Sequence, residues 1–368
     1  MSRNLYITGT RRGDGKTTIT VGLTQAIKTK VPNLGFIKPL GSRDIERTGY
    51  SLDHDTLLVH KACDVHGSIQ DANPITIDRG FPSYALTQAR GTDLLKQIEE
   101  AFQRVQAGRD LVIIEGAGHA AVGSMFGISN ALVAQRLGAK VLLVASGKDG
   151  HPFDEIALSL AFFEKHGAEI LGVVLNQIPY PNLKEVRDVT ATMLARHGIK
   201  VVGALPKLRL FTSPKLVEIL EALEGRALSC REKVNNRYRR ILLGAMTAAS
   251  AFPRLFHVGE EVLLITPGDR VDIVLAALQA HQTIAAEGRH LLAGIVLTGG
   301  LVPDPGTIEI LGKTGIPTLA VEADSFQAAS RIHDMEPALS PNDRRVLKIL
   351  HQAANKYIDI ETLLERLG

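Results

Sequence analysis

The run Leu5-Tyr6-Ile7-Thr8-Gly9-Thr10-Arg11-Arg12-Gly13-Asp14-Gly15-Lys16-Thr17-Thr18 constrains this chain more than any other stretch. Apolar residues lead into a glycine-rich turn. The turn opens a segment with Ile19, Leu23, Ala26 and Ile27 at helical spacing. Strand, loop and helix in that order form a phosphate-binding loop. Glycines let backbone N–H groups approach phosphate oxygens, and the helix N-terminus adds partial positive charge. Lys16 supplies a cation for the outer phosphates, and the Thr17 hydroxyl is placed to ligate Mg²⁺. The usual spacing puts four residues between the first glycine and Gly-Lys-Thr. Here Thr10 takes that glycine's position and Gly9 lies one residue earlier, so the loop is a longer variant.

The rest of the chain alternates short apolar strands with helical stretches. Leu34-Gly35-Phe36-Ile37, Leu111-Val112-Ile113-Ile114, Val141-Leu142-Leu143-Val144, Leu171-Gly172-Val173-Val174-Leu175 and Val201-Val202-Gly203-Ala204 read as buried strands. That pattern predicts an α/β fold, a parallel sheet of the P-loop type covered by helices on both faces. Ligands in such folds bind at the carboxyl ends of the strands. Lys38, Glu115 and Asn176 all fall there. Residues 67–91 are rich in glycine, proline and polar residues and read as a loop excursion over the site.

A composition change near 207–238 marks a boundary, and the basic run Arg237-Tyr238-Arg239-Arg240 reads as a solvated linker. A second alternating series follows, with polar turns at Thr266-Pro267-Gly268-Asp269-Arg270 and Thr298-Gly299-Gly300. The expected division is a nucleotide-binding domain at 1–228, a smaller three-layer α/β domain at 238–338 and a helical tail at 342–368. The apolar stripe of the tail must be covered, either by the chain's own domains or by a second subunit. A dimer or higher homo-oligomer is expected.

Charge and composition narrow the partners. The chain has 368 residues, 45% hydrophobic and 22% charged, and a net charge of +3, too small to argue for nucleic acid. Two cysteines, Cys63 and Cys230, imply no disulfide framework and fit a reducing cytoplasm. No signal peptide is visible, and no apolar run reaches the roughly 18 residues of a membrane span. His54, His60 and His66 recur every six residues, which does not align them on one helix face for a metal.

Taken together, the motifs resemble dethiobiotin synthetase and its relatives, among them the N-terminal region of long phosphotransacetylases and the synthetase domain of cobyrinic acid amidases. The long loop, Ile37-Lys38-Pro39, Asp55-Thr56-Leu57, Glu115-Gly116-Ala117-Gly118 and Gly172-Val173-Val174-Leu175-Asn176 match in order. Asp269-Arg270 and Thr298-Gly299-Gly300 resemble the domain named for those residues, which follows the synthetase-like one in long phosphotransacetylases. The resemblance spans roughly nine-tenths of the chain. It implies ATP and Mg²⁺ as cofactors. Thr10, Gly13, Asp14, Gly15, Lys16, Thr17 and Thr18 would hold the phosphates and Asn176 the adenine edge. Thr17, Asp55 and Glu115 are hard oxygen ligands suited to Mg²⁺, with Asp53 an alternative to Asp55. Lys16 and Lys38 are the catalytic candidates, able to neutralise charge on a transferred γ-phosphoryl. Ser42 resembles a position near the substrate carboxylate.

The departures carry weight too. Dethiobiotin synthetase lacks the second domain, and His119-Ala120-Ala121-Val122 differ from its usual pattern. Cys230 has no glutaminase context, and no stretch resembles the phosphotransacetylase catalytic domain. Two functions remain open. One is a ligase-type enzyme that phosphorylates a small-molecule carboxylate or carbamate. The other is an ATP-binding sensor of a metabolite effector, controlling a separate enzyme.

Overall fold

The computed structural model describes residues 3–42, 53–65, 67–77, 91–208, 213–335 and 339–368. Residues 78–90 of the expected loop stretch at 67–91 lie outside them, as do His66 and the Ser42 side chain. The chain divides into two compact units. The first comprises 1–207 together with 339–368, and the second 208–338.

The first unit opens with strand β1 (Arg3–Gly9) and helix α1 (Lys16–Lys28). Strands β2 (Leu34–Ile37) and β3 (Leu40–Ser42) follow. Next come helix α2 (His54–Ala62), strand β4 (Ile75–Ile77) and helix α3 (Gly91–Gln106). Strand β5 (Leu111–His119), helix α4 (Asn130–Arg136) and strand β6 (Lys140–Ser146) continue the alternation. Helix α5 (Phe153–Lys165), strand β7 (Ile170–Ile178), helix α6 (Leu183–Ala195) and strand β8 (Val201–Pro206) complete it.

Six of these strands form one sheet in the order β2-β5-β1-β6-β7-β8, and every pairing is parallel. The strands are buried almost end to end because helices cover both faces. The chain leaves β1 toward β2 on one side and later fills the other side with β6, β7 and β8. The order therefore reverses about β1, where an open α/β sheet forms its crevice. The glycine-rich loop begins at that carboxyl end. β3 and β4 pair in a small separate parallel ladder that the sequence pattern does not reveal.

The second unit contains helix α7 (Leu216–Ala222), strand β9 (Arg226–Ser229), strand β10 (Arg240–Leu243) and helix α8 (Ala248–Val258). Strand β11 (Val262–Pro267), helix α9 (Val271–Ala285), strand β12 (Leu292–Thr298) and helix α10 (Pro305–Thr314) come next. Strand β13 (Thr318–Ala320) and helix α11 (Ser325–Asp334) close it. Its sheet runs β10-β11-β12-β13-β9, parallel except for β9. α8 and α9 pack on one face, α7 and α11 on the other. The basic run is no linker: Tyr238 is buried and Arg240 opens β10. Arg237 donates to the Ser213 carbonyl at 2.6 Å and Arg239 pairs with Glu261.

After the second unit the chain returns to the first as helices α12 (Arg344–Tyr357) and α13 (Ile360–Leu367). Val346, Leu347, Leu350, Ala353 and Ala354 make the buried stripe of α12, and Ile360, Leu363 and Leu367 that of α13. The stripe covers α1 and β8. A Cβ on Gly22 would sit 2.7 Å from the Leu350 carbonyl oxygen, so α1 and α12 meet backbone to backbone there. Asp359 N–H donates to the Val202 carbonyl at 2.8 Å, and the Lys140 ammonium to the Arg366 carbonyl at 2.7 Å. Of the two covers the sequence leaves open, the chain's own first unit is the one observed.

Candidate functional site

The loop between β1 and α1 is braced from inside and from the neighbouring strand. The Asp14 carboxylate accepts the Thr10 N–H at 2.9 Å, the Thr10 hydroxyl at 2.7 Å and the Arg11 N–H at 2.7 Å. Thr10 and Asp14 therefore spend their side chains on each other. Gly13 and Gly15 take positive φ of 90° and 77°, which side chains rarely tolerate. From β7, the Gln177 amide donates to the Gly13 carbonyl and the Asn176 amide to the Asp14 carbonyl, both at 2.9 Å. A planar trans peptide points its N–H opposite its carbonyl. Gripping those two carbonyls turns the N–H groups of Asp14 and Gly15 away from β7. The grip has a backbone cost at Gln177, a non-glycine residue at φ 58°, and Ser146 donates to its side-chain carbonyl at 3.0 Å. A Cβ on Gly15 would collide with the Asn176 amide, so glycine is required there twice over.

Lys16, Thr17 and Thr18 form the first turn of α1 and are half-buried. The Thr17 hydroxyl donates to Glu115 Oε1 at 3.0 Å. Glu115 lies in the buried part of β5 with no exposure at all, and its Oε2 has no hydrogen-bond partner among the described residues. Burial raises its carboxyl above the usual glutamate range, more than Lys38 pulls it down. Lys38 follows β2, is 3% exposed, and points its ammonium at three carboxylates. Asp53 Oδ1 lies at 2.6 Å, Asp55 Oδ2 at 2.5 Å and Glu115 Oε1 at 3.5 Å. Burial alone would lower the lysine; Asp55, Asp53 and Glu115 hold it above its ordinary value instead. Burial would likewise raise Asp55, but Lys38, His54 and Lys16 hold it well below the usual carboxylate range.

The acids owe their places to local structure. Asp53 is the N-cap of α2 and accepts the N–H groups of Asp55 and Thr56 at 2.9 and 3.4 Å. Asn73 accepts the Asp53 N–H at 2.9 Å and donates to the Lys38 carbonyl at 3.0 Å, tying both ends of the ion pair together. Asn130 does the same for the turn after Glu115. It donates to the carbonyls of Ala117 and His119, both at 2.6 Å, and accepts from Ala117 N–H and the buried Tyr6 hydroxyl. Asn73, Asn130 and Gln177 carry no sequence signal; each works through partners far away in the chain.

The structure thus brings Lys16, Thr17, Lys38, Asp53, Asp55 and Glu115 to one place. Among the described residues no three His, Cys, Asp or Glu side chains converge as a ready-made metal cage. The donor set still fits a hard divalent cation that takes part of its shell from phosphate and water. Two carboxylates, a hydroxyl and a buried orphan oxygen on Glu115 are the ligands such an ion selects.

In the second unit, Asp269-Arg270 and Thr298-Gly299-Gly300 stand at the carboxyl ends of adjacent strands β11 and β12. Arg270 donates to Asp272 at 2.8 and 2.9 Å and to the Met246 carbonyl at 2.8 Å. Thr298 and Ser325 share a hydrogen bond at 2.6 Å.

Known proteins resemble the chain in both parts. The AAA domain family matches residues 3–215 and the DRTGG domain residues 218–335. The phosphate acetyltransferase of Nitrosomonas europaea is 26% identical over 375 residues, covering 99% of this chain and 51% of that protein. That of Synechocystis sp. is 25% identical over 378 residues, covering 100% and 52%. The chain spans about half the length of the curated relatives it matches. Among solved structures, the MinC:MinD cell division protein complex of Aquifex aeolicus aligns at a TM-score of 0.36 and 16% identity, over 59% of this chain and 84% of that one.

Proposed function

The chain belongs to the AAA domain family, with a DRTGG domain behind it, and from that premise we propose that it is a Mg·ATP-binding regulatory module for acetyl-group metabolism. Its likeness to phosphate acetyltransferases runs through both domains but spans about half of those proteins. The expected partner is an enzyme of that class, and the effector a small metabolite.

The observation that carries this reading is the state of Lys38. It is buried and matched by Asp53 at 2.6 Å and Asp55 at 2.5 Å, so its charge is already spent on the protein. Lys16 remains at the loop to meet the outer phosphates. The N–H groups of Asp14 and Gly15 are set by the grip of Asn176 and Gln177 on the preceding carbonyls. Thr17, Asp55 and Glu115 are the residues that would hold Mg²⁺. When bound, the ion neutralises phosphate charge. The residue set is then sufficient for binding ATP without requiring its turnover. Asn176 has a second amide hydrogen and a carbonyl left to offer an adenine edge.

One observation favours the enzymatic alternative, phosphorylation of a carboxylate or carbamate. The carboxylates proposed for the metal, Asp55 and Glu115, are two of the three that Lys38 faces. A cation there competes with Lys38 and frees it to face the transferred phosphoryl group.

Phosphate release and ATP titration on wild type, Asp55→Asn and Glu115→Gln separate the two. The regulatory reading expects slow release in wild type, with or without candidate carboxylates, and Mg²⁺-dependent ATP affinity weakened in both variants. Fast carboxylate-stimulated release, lost by about 100-fold or more in each variant, would establish the enzyme instead.

A further inference from the structure

The first unit has another opening, away from the glycine-rich loop. The last turn of α1, the end of α2 and the first turns of α12 line an open surface cavity of about 510 Å³. That is ample for a metabolite-sized ligand. Arg344, Lys348 and His351 line it at positions i, i+4 and i+7, so one face of α12 presents three basic side chains to the same space. Among the described residues none of these three makes an ion pair. Lys28 lines the opposite wall, its ammonium bonded to the Cys63 carbonyl at 3.0 Å and the Asp64 carbonyl at 2.5 Å and paired with the Asp64 carboxylate at 3.2 Å. The wall's one acid is thereby answered, and the cationic face opposite it is not.

The opposite wall is closed by an amide. Gln25 lines it, and its amide nitrogen donates to the Ala62 carbonyl at 3.1 Å. Its Oε1 is buried without a hydrogen-bond partner among the described residues. Leu347 adds an apolar patch. Basic side chains on one wall and an apolar patch beside them describe an organic anion.

We infer that this cavity is a second ligand site, taking a small organic phosphate. The phosphate meets Arg344, Lys348 and His351. The site does not depend on what the glycine-rich loop binds.

The test is calorimetric titration of the full chain with ribose 5-phosphate at fixed ionic strength. Four proteins are compared: wild type, Lys16→Ala, the double variant Arg344→Gln/Lys348→Gln, and the control Arg345→Gln/Lys356→Gln. The control removes the same charge from the same helix outside the cavity. Wild type, Lys16→Ala and the control should bind alike. The cavity variant should lose at least about tenfold in affinity, or roughly 1.4 kcal/mol. Arg344 and Lys348 are exposed, so that variant keeps its melting temperature; if it does not, His351→Gln takes its place. Three results would overturn the inference. They are no binding by wild type, binding that disappears in Lys16→Ala but survives in the cavity variant, and equal loss in the control.

Discussion

Lys38 is held by more negative charge than it carries, and this makes it a structural residue as well as a candidate for chemistry. Lys38→Ala leaves Asp53, Asp55 and Glu115 facing one another in a buried space. The expected loss is about 3–5 kcal/mol by chemical denaturation in EDTA, the cost of orphaning a buried charge. Mg²⁺ should recover part of it, because a cation then stands where the ammonium stood; no recovery would argue against a metal among these acids. The two carboxylates respond to pH in opposite senses. Glu115 is raised, so the folded state keeps its proton where the unfolded chain has released it. Its contribution is whole below the ordinary glutamate value of 4.5 and is lost as pH rises through its raised value. Asp55 is lowered, so its contribution is present above the ordinary 3.8 and lost as pH falls through its lowered value. The melting temperature of Glu115→Gln minus that of wild type should therefore increase from pH 4 to pH 7. A flat difference would mean that Glu115 titrates alike folded and unfolded. Lys38 and Glu115 were legible because each is a charged residue closing an apolar strand. Asn73, Asn130 and Gln177 were not, since a side-chain amide that bridges two distant backbone segments leaves no local pattern.

At the scale of elements, the contact of α1 with α12 is the one most sensitive to a single atom. Gly22→Ala places a methyl 2.7 Å from the Leu350 carbonyl oxygen, which is backbone and cannot swing aside. The helices must separate, at a cost of about 1–3 kcal/mol as for other overpacked sites. Urea denaturation measures it. A neutral or stabilising result would mean that α12 does not lie on α1 in solution. Removing residues 342–368 should expose the face of α1 around Gly22, which meets Leu350 and Ala354, and lower the melting temperature of the first unit. Both consequences follow from a stripe that was readable at helical period while its target was not, because periodicity says that a face is buried and not against what. The long buried strands were legible for the same reason. β3, β4 and β9 are only three or four residues long, too short to show a period.

The whole molecule comprises two units, each with its own sheet and core. A ligand of the glycine-rich loop should stabilise the first of them. At 100 times its Kd, Mg·ATP adds about 2.7 kcal/mol to that unit by mass action. In calorimetry one transition should move upward, and Lys16→Ala should hold it still. A shift that survives Lys16→Ala would place the nucleotide elsewhere. The expected boundary between 228 and 238 lies inside the second unit, whose α7 and β9 precede it. The first unit is also discontinuous in the chain: 339–368 belong to it, and 208–338 are made before them. On a ribosome the nucleotide loop, its helix and all six strands of their sheet emerge without their last layer. At 5–20 residues per second, translation of the intervening unit lasts on the order of ten seconds. Throughout that interval the apolar back of α1 stands bare, and nascent chains bearing it must be shielded or wait partly folded. Completion of the first unit is thus timed by synthesis of the second.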